Sequence, residues 1–409
     1  MNRQTSCRLI VMLMILGMTG TAFAAADTDQ SSLDIYGHVM LDIGYQTGQS
    51  DPNWFDVARP TKLPTYKNEY GGDGHYYASV RQTRFGVKGF QPTEHGAIKT
   101  IFEFELFGVG TDEGQTTFRL RHAYGEYNKW GAGQYWSTFM DPDVFPNSVE
   151  YWGPNGMIFY RNIQLRFMPI QGDSQLTFSL EKPGGSGDPG VLVGDPRLEN
   201  ISTRWPAPDV VAQYRRTTGW GHYQAAGIVR YGKWDDLGDD DEDVSNDFVG
   251  WGVNLSTNIK FAEDILKLQV VYGEGIANYS NDGGADVGAL EPGNPDIAES
   301  LPLLGVVAFY DRTWNKRFTS TFGYSLVDID NSVGQSASSF KKGQYALANL
   351  LYHPAKNLMW GVEVQWVKRE NLGDGQVQEI NGVDRLIESA DDLRFQVSVK
   401  YNFGHRVGG

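Results

Sequence analysis

The sequence predicts an all-β protein: a transmembrane antiparallel β-barrel of sixteen strands, with one long loop folded inward as a constriction. Three observations predict it. Apolar and polar residues alternate with a period of two in segment after segment, bounded by Gly, Pro, Asn and Asp, and almost nowhere with a helical period. The connections alternate long and short, which suits short periplasmic turns and long outer loops and has no reason to occur in a sandwich. Proline, which cannot donate to a sheet ladder, falls in connections except at two strand ends, Pro169 and Pro354.

The strands follow in order. The first, 33–46, sets Leu33, Ile35, Val39, Leu41, Ile43 and Tyr45 on one face and Asp34, Tyr36, His38 and Asp42 on the other. The second, 77–90, carries Arg84 and Lys88 on its polar face. The third, 97–107, sets Ile98, Phe102, Phe104 and Leu106 against Lys99, Glu103 and Glu105. The fourth, 117–128, holds Arg119 and Arg121 two apart between Phe118, Leu120 and Tyr124, and strict alternation turns His122 outward. A short fifth strand, 131–137, precedes the long connection 138–160. Strands at 161–170, 174–182, 209–217 and 221–234 direct Arg166, Glu181, Arg215 and Arg230 to the polar side. Segments 247–258, 264–275, 303–314, 317–327 and 343–354 come next. The fifteenth, 357–369, sets Leu358, Trp360, Val362, Val364 and Trp366 against Glu363 and Gln365. The last, 391–403, alternates Leu393, Phe395, Val397, Val399, Tyr401 and Phe403 with inward Arg394 and Lys400, and resembles the terminal strand by which outer-membrane proteins are recognised for insertion. An even count lets the sheet close with both termini on the periplasmic side. Trp130, Trp220 and Trp314 beside short turns suit an interfacial girdle, or ordinary turn-flanking packing.

The N-terminus reads as a secretory signal peptide over 1–24, with cleavage as late as 26: Arg3 and Arg8 precede the apolar run 9–18, and Ala22 and Ala24 follow at cleavage spacing. A single barrel domain over 27–409 remains. Cys7 is the one cysteine and lies before the apolar run, so the mature chain has none. The formal charge of -15 becomes more negative once Arg3 and Arg8 are lost, which argues against nucleic acid as a partner. No later stretch approaches the roughly 18 apolar residues of a spanning helix. The mean hydropathy of -0.40 looks soluble, but a barrel averages its two faces. Composition alone therefore leaves a large exported β-protein or a barrel of the Gram-negative outer membrane.

If the apolar face meets lipid, Arg119 and Arg121 point into the lumen, and a barrel of this strand number is wide enough to hold an aqueous channel. A hairpin turning near Asp112 would set Glu105 opposite Arg119 and Glu103 opposite Arg121, and a turn near Thr93 would set Arg84 beside Glu103. Opposite charges across strands contribute only about 0.2 to 1 kcal/mol each, so wall bracing competes with an anion-attracting wall. The overall negative charge does not decide the matter, because screening acts over about 8 Å at physiological ionic strength and the arginines are clustered. The connection 138–160 is aromatic and proline-stiffened; Phe139, Phe145, Tyr151, Trp152, Phe159 and Tyr160 suit an inward fold narrowing the lumen, or a subunit interface. The acidic run 235–243 reads as a solvated loop, or as a divalent-cation bridge to lipopolysaccharide.

"RLRHAYGEY" (119–127) followed by "GQYWSTFMDPDVFP" (133–146), with "RQTRFGVKG" (81–89), resembles the DcaP-like outer-membrane porins. The resemblance implies a sixteen-stranded barrel assembled as a homotrimer, passive uptake of small anions typified by dicarboxylates, and roles for Arg119 and Arg121 on the wall and Trp136, Ser137 and Thr138 at the root of the constriction loop. The expected pathway residues are Arg84, Lys88, Glu103, Glu105, Arg119, Arg121, Trp136, Trp152 and Arg166; no catalytic residue, cofactor or metal is expected, and membrane lipid and lipopolysaccharide are the surroundings. A general or carbohydrate-conducting pore, with the arginines as structural charges, is the alternative. An outer-membrane enzyme is less favoured: no Gly-x-Ser-x-Gly is present, and the seven histidines are scattered without metal spacing. A solenoid adhesin would need internal repeats, which are absent.

Overall fold

The computed structural model describes residues 30–238, 243–294 and 296–408, so the signal-peptide segment lies outside the described residues. The chain forms a closed antiparallel barrel of sixteen wall strands, and among the described residues helical structure is confined to single 3-10 turns. The strands are β1 (Ser32–Gln46), β2 in two pieces (His75–Ser79 and Arg84–Thr93), β3 (Gly96–Phe107), β4 (Thr116–Tyr127), β5 (Trp130–Trp136), β6 (Arg161–Ile170), β7 (Ser174–Glu181), β8 (Asp209–Thr218), β9 (Gly221–Asp236), β10 (Asn246–Phe261), β11 (Asp264–Glu274), β12 (Pro302–Asn315), β13 (Phe318–Ile329), β14 (Phe340–Ala355), β15 (Leu358–Asn371) and β16 (Ala390–Val407). Each strand pairs with its neighbour in sequence, and β1 closes the cylinder on β16 from Leu33 opposite Val407 to Gln46 opposite Arg394. Each of the sixteen expected strands is present at its expected place.

Burial is inverted relative to a water-soluble protein. Along β1, Val39, Leu41, Ile43 and Tyr45 are exposed while Met40, Asp42 and Gln46 between them are buried. On β4, Phe118 is 75% exposed and Arg121 only 3%. Water would penalise such a continuous apolar exterior, and burying so many charges alone would be costly. Lipid outside and paired polar groups inside remove both penalties.

Two departures from strict alternation matter. Residues 80–83 leave the ladder, which the sequence reading ran through without a break. Their polar groups turn instead to other inner-wall groups: Gln82 donates to Asp42 and to the carbonyl of Val149, at 2.9 and 2.8 Å, and the His38 ring meets the Gln82 carbonyl at 2.8 Å. The second departure, on β4, builds the site described below.

The interior is packed by connections rather than by the wall alone. Phe139, Met140, Val144, Phe145, Met157 and Ile158 of the connection 137–160 form one apolar cluster with the inner-wall side chains Val271, Leu303, Val307, Phe309, Val327 and Tyr345. The two ends of this connection are tied by the Ser137 amide donating to the Tyr160 carbonyl at 2.9 Å. Shorter strand pairs, such as Val377–Ile380 with Val383–Leu386, stiffen other connections.

Candidate functional site

The site begins with a bulge. Arg119 pairs with Glu105 as the alternation requires, but Glu103 lies opposite His122, and Phe104 opposite Leu120. Arg121 is therefore the extra residue, and a bulge lets two successive side chains point the same way. Arg121 and His122 are both buried inside, which corrects the outward placement of His122 and the expected pairing of Arg121 with Glu103. Freed from a single partner, Arg121 spans two: its Nε donates to Glu103 at 2.6 Å and its Nη1 to Glu105 at 2.7 Å.

Arg84 approaches the same carboxylates from β2. The hairpin between β2 and β3 turns at Thr93 and Gly96, which sets Arg84 opposite Glu105 and Gly86 opposite Glu103. Arg84 was expected beside Glu103; its Nη2 instead donates to Glu105 at 3.1 Å, while its Nε lies 3.8 Å from Glu103. From the connection 137–160, the Tyr151 hydroxyl donates to Glu105, and Arg119 donates to that hydroxyl at 3.3 Å. Arg119 and Arg161 stand 3.8 and 3.9 Å from Glu105. Four guanidiniums thus surround two carboxylates.

The other expected pathway residues divide. Trp136 lies beneath the cluster, with the Arg121 and Arg161 guanidiniums 5.3 and 5.2 Å from its ring centre. Lys88 sits one layer away, 5.2 Å from the ring of Tyr36, whose hydroxyl donates to Glu103 at 2.7 Å. Trp152 meets Trp54 edge-on, and the Arg59 guanidinium lies 4.0 and 4.1 Å from the two ring centres. Arg166 does not join the cluster: its guanidinium donates to the Trp136 carbonyl and to Gln164 and lies over Tyr135.

Arg161 escaped the sequence reading for a physical reason. It is the first residue of β6, where Ile163 and Leu165 face outward, so alternation assigns it to lipid. At this strand end the ladder pairs Arg161 on one side only, with Trp136, and the side chain turns inward over that ring. Arg59 and Tyr151 were invisible as partners because their connections carry no periodicity.

The connection 137–160 is held by buried anchors near its start and in its middle. Asp141 accepts from Arg215 at 3.0 Å and from Ser256 at 2.6 Å and meets the His222 ring at 2.8 Å, while Asp143 takes the other Arg215 nitrogen. Asp141, Asp143 and His222 offer atoms within 4.8 Å of one another, a metal-like grouping that sequence spacing could not show. Arg215 already bonds both carboxylates, so we assign the grouping to anchoring. Glu150 accepts from the amides of Ala58, Trp152 and Gly153 and from the Tyr345 hydroxyl. Burial pushes the Glu150 carboxyl up to about 7. The attached connection therefore holds a proton that a detached one has lost between the usual glutamate range and about 7, so attachment weakens as pH rises through that window. Current noise through the channel is expected to grow between pH 5 and pH 8 and to lose that dependence in Glu150→Gln; equal pH dependence in both would remove Glu150 as the cause.

A model of the DcaP outer membrane protein family matches residues 17–387. The chain belongs to the DcaP outer membrane protein family. It is accordingly a protein of the Gram-negative outer membrane. The outer membrane channel DcaP of Acinetobacter baumannii superposes with a TM-score of 0.75 at 22% identity, over 94% of this chain and 100% of that one. An anion-selective porin from Comamonas acidovorans superposes at 0.59 with 12% identity, over 91% and 100%. The trimer form of OmpT from Vibrio cholerae superposes at 0.54 with 11% identity, over 91% and 99%. A search of the curated proteins returned no match. At these identities the neighbours establish the barrel fold of this DcaP family member, and its selectivity has to be argued from its own residues.

Proposed function

We propose that this DcaP family member is a porin for passive diffusion of small anionic solutes, dicarboxylates foremost, with the connection 137–160 narrowing the lumen beside the arginine cluster. One observation carries the proposal: the two most exposed charges of the cluster are guanidiniums, Arg84 and Arg119, while Arg121 and Arg161 are as hidden as the carboxylates. The Glu105 side chain is fully buried and Glu103 is 8% exposed, against 12% for Arg84 and 24% for Arg119. A solute at this wall meets positive charge, with the acids behind it keeping the attraction escapable, as permeation requires. The alternative of a sugar track is disfavoured because the neighbouring aromatics occupy one another: Phe107 stacks on Tyr151 at 4.0 Å, and Trp54 meets Trp152 edge-on at 4.9 Å.

The test is the zero-current potential of the purified protein in a planar bilayer under a salt gradient. Anion preference is expected, falling in Arg119→Ala by up to about fivefold, the effect of a unit charge contributing about 1 kcal/mol at 4 Å in water. Cation preference in the unaltered protein would overturn the proposal. We include assembly as a homotrimer in it, read from the mass of the detergent-solubilised protein. Bridging of lipopolysaccharide by the acidic run 235–243 stays outside it, since 239–242 lie outside the described residues.

A further inference from the structure

We infer that Arg161 is the specificity-determining residue of this wall, and that together with Arg119 it supplies the exchangeable donors to which a solute carboxylate binds in passage. The inference rests on the anion-porin reading and sharpens it, because the cluster's arginines are not equivalent. Arg121 has its Nε and Nη1 committed to Glu103 and Glu105. Arg84 donates to Glu105 at 3.1 Å through Nη2, and its buried Nε, 3.8 Å from Glu103, has no hydrogen-bond partner. Both are bound to the wall, and a solute could use them only by breaking a charge-assisted hydrogen bond.

Arg161 is different. Its side chain is 7% exposed, its buried Nη1 has no hydrogen-bond partner, and its Nη2 comes no nearer than 3.9 Å to Glu105. The Glu105 oxygen that it faces is already taken by the Tyr151 hydroxyl. A buried guanidinium nitrogen without an acceptor is costly, and the rings of Trp136 and Phe159, 5.2 and 6.0 Å away, offer π-faces but no lone pair. Arg119 stands at the same distance from the same oxygen and has only the 3.3 Å bond to Tyr151. Two guanidiniums therefore face one Glu105 oxygen without reaching hydrogen-bond distance of it, and the Arg161 Nη1 is left with no acceptor from the protein. A carboxylate is the ligand whose planar pair of oxygens matches such forks, and a dicarboxylate has a second for Arg119 once the first meets Arg161.

The experiment is block of the chloride current by succinate in planar bilayers, for the unaltered protein, Arg161→Gln and Arg161→Lys, each first shown to migrate as a heat-modifiable folded band. Arg161→Gln is expected to raise the half-blocking succinate concentration about tenfold, the loss of one charge-assisted hydrogen bond. Arg161→Lys keeps the charge without the fork and is expected to retain chloride preference yet bind succinate several-fold more weakly. Block unchanged in either folded variant would overturn the inference and leave Arg161 as packing against Trp136. If Arg161→Gln does not fold, the lysine variant decides alone. Absence of anion preference in the unaltered protein would instead bring down the porin reading itself, so the two failures are distinguishable.

Discussion

Replacing Arg121 by alanine is expected to destabilise the barrel by about 3 to 5 kcal/mol, the cost of removing one partner from a buried ion pair. Arg121 is 3% exposed and bonds both glutamates. Without it, Glu105 would keep Arg84 and Tyr151, but Glu103 would keep only Tyr36 and the distant Arg84 and His122. A carboxylate so placed on a lumen wall must recruit water or take up a proton. Arg119→Ala, in contrast, removes a side chain that is 24% exposed and 3.8 Å from its carboxylate, and is expected to cost about 1 kcal/mol or less. The comparison is read as the temperature at which the folded band converts to the unfolded one on a gel. Equal conversion temperatures for the two variants would refute the division of labour between a bracing Arg121 and a solute-facing Arg119.

That division bears on the question of bracing against function that the sequence left open. On the proposed reading each description holds for different members of the cluster. Alternation along β1, β3, β15 and β16 was fully legible, because lipid on one side and polar groups on the other act on every residue of a long strand. Glu105 opposite Arg119 was legible for the same reason. The pairing of Glu103 was not, since one extra residue at Arg121 shifts everything beyond it and leaves no mark in the pattern. Arg161 was lost at a strand end, where the ladder pairs it on one side only. Arg166, expected on the pathway, stays apart from the cluster because parity gives a direction and no reach: its guanidinium ends on the Trp136 carbonyl. The anchors Asp141 and Glu150 were beyond sequence reasoning altogether, because their partners are far away in the chain and are brought near only by closure of the barrel.

Closure also sets the second large effect, expected in Glu363→Ala. On β15 this wall carboxylate gathers one short stretch of the connection 137–160: it accepts from the Ser148 hydroxyl and the Val149 amide, both at 3.0 Å, and from the Glu150 amide at 3.2 Å. Asn349 and Gln365 hold it in place at 2.9 and 2.8 Å. Alanine would leave the Val149 amide without an acceptor, at about 1 to 3 kcal/mol if water fails to reach it, while the Ser148 hydroxyl and the Glu150 amide keep their bonds to the Glu150 carbonyl and to Ser148 Oγ. The ends of the connection have their own anchors, with Arg215 on Asp141 and the Lys267 ammonium on the Phe145 carbonyl at 2.6 Å. The middle, 147–151, keeps the Val149 carbonyl on Gln82 and Gln396 and the Glu150 carboxylate on Ala58 and Tyr345, so it is expected to loosen while the ends stay in place. Tyr151 lies in that stretch, so its displacement would uncover Glu105 to the solute and remove the partner of Arg119. Single-channel conductance should then rise while anion preference falls, a combination that neither widening alone nor loss of an arginine alone produces. Glu363→Gln, which keeps one acceptor oxygen, should show a smaller change in the same direction. Conductance and selectivity both unchanged in a folded Glu363→Ala would show that 147–151 is held without this carboxylate and that the lumen width is set elsewhere.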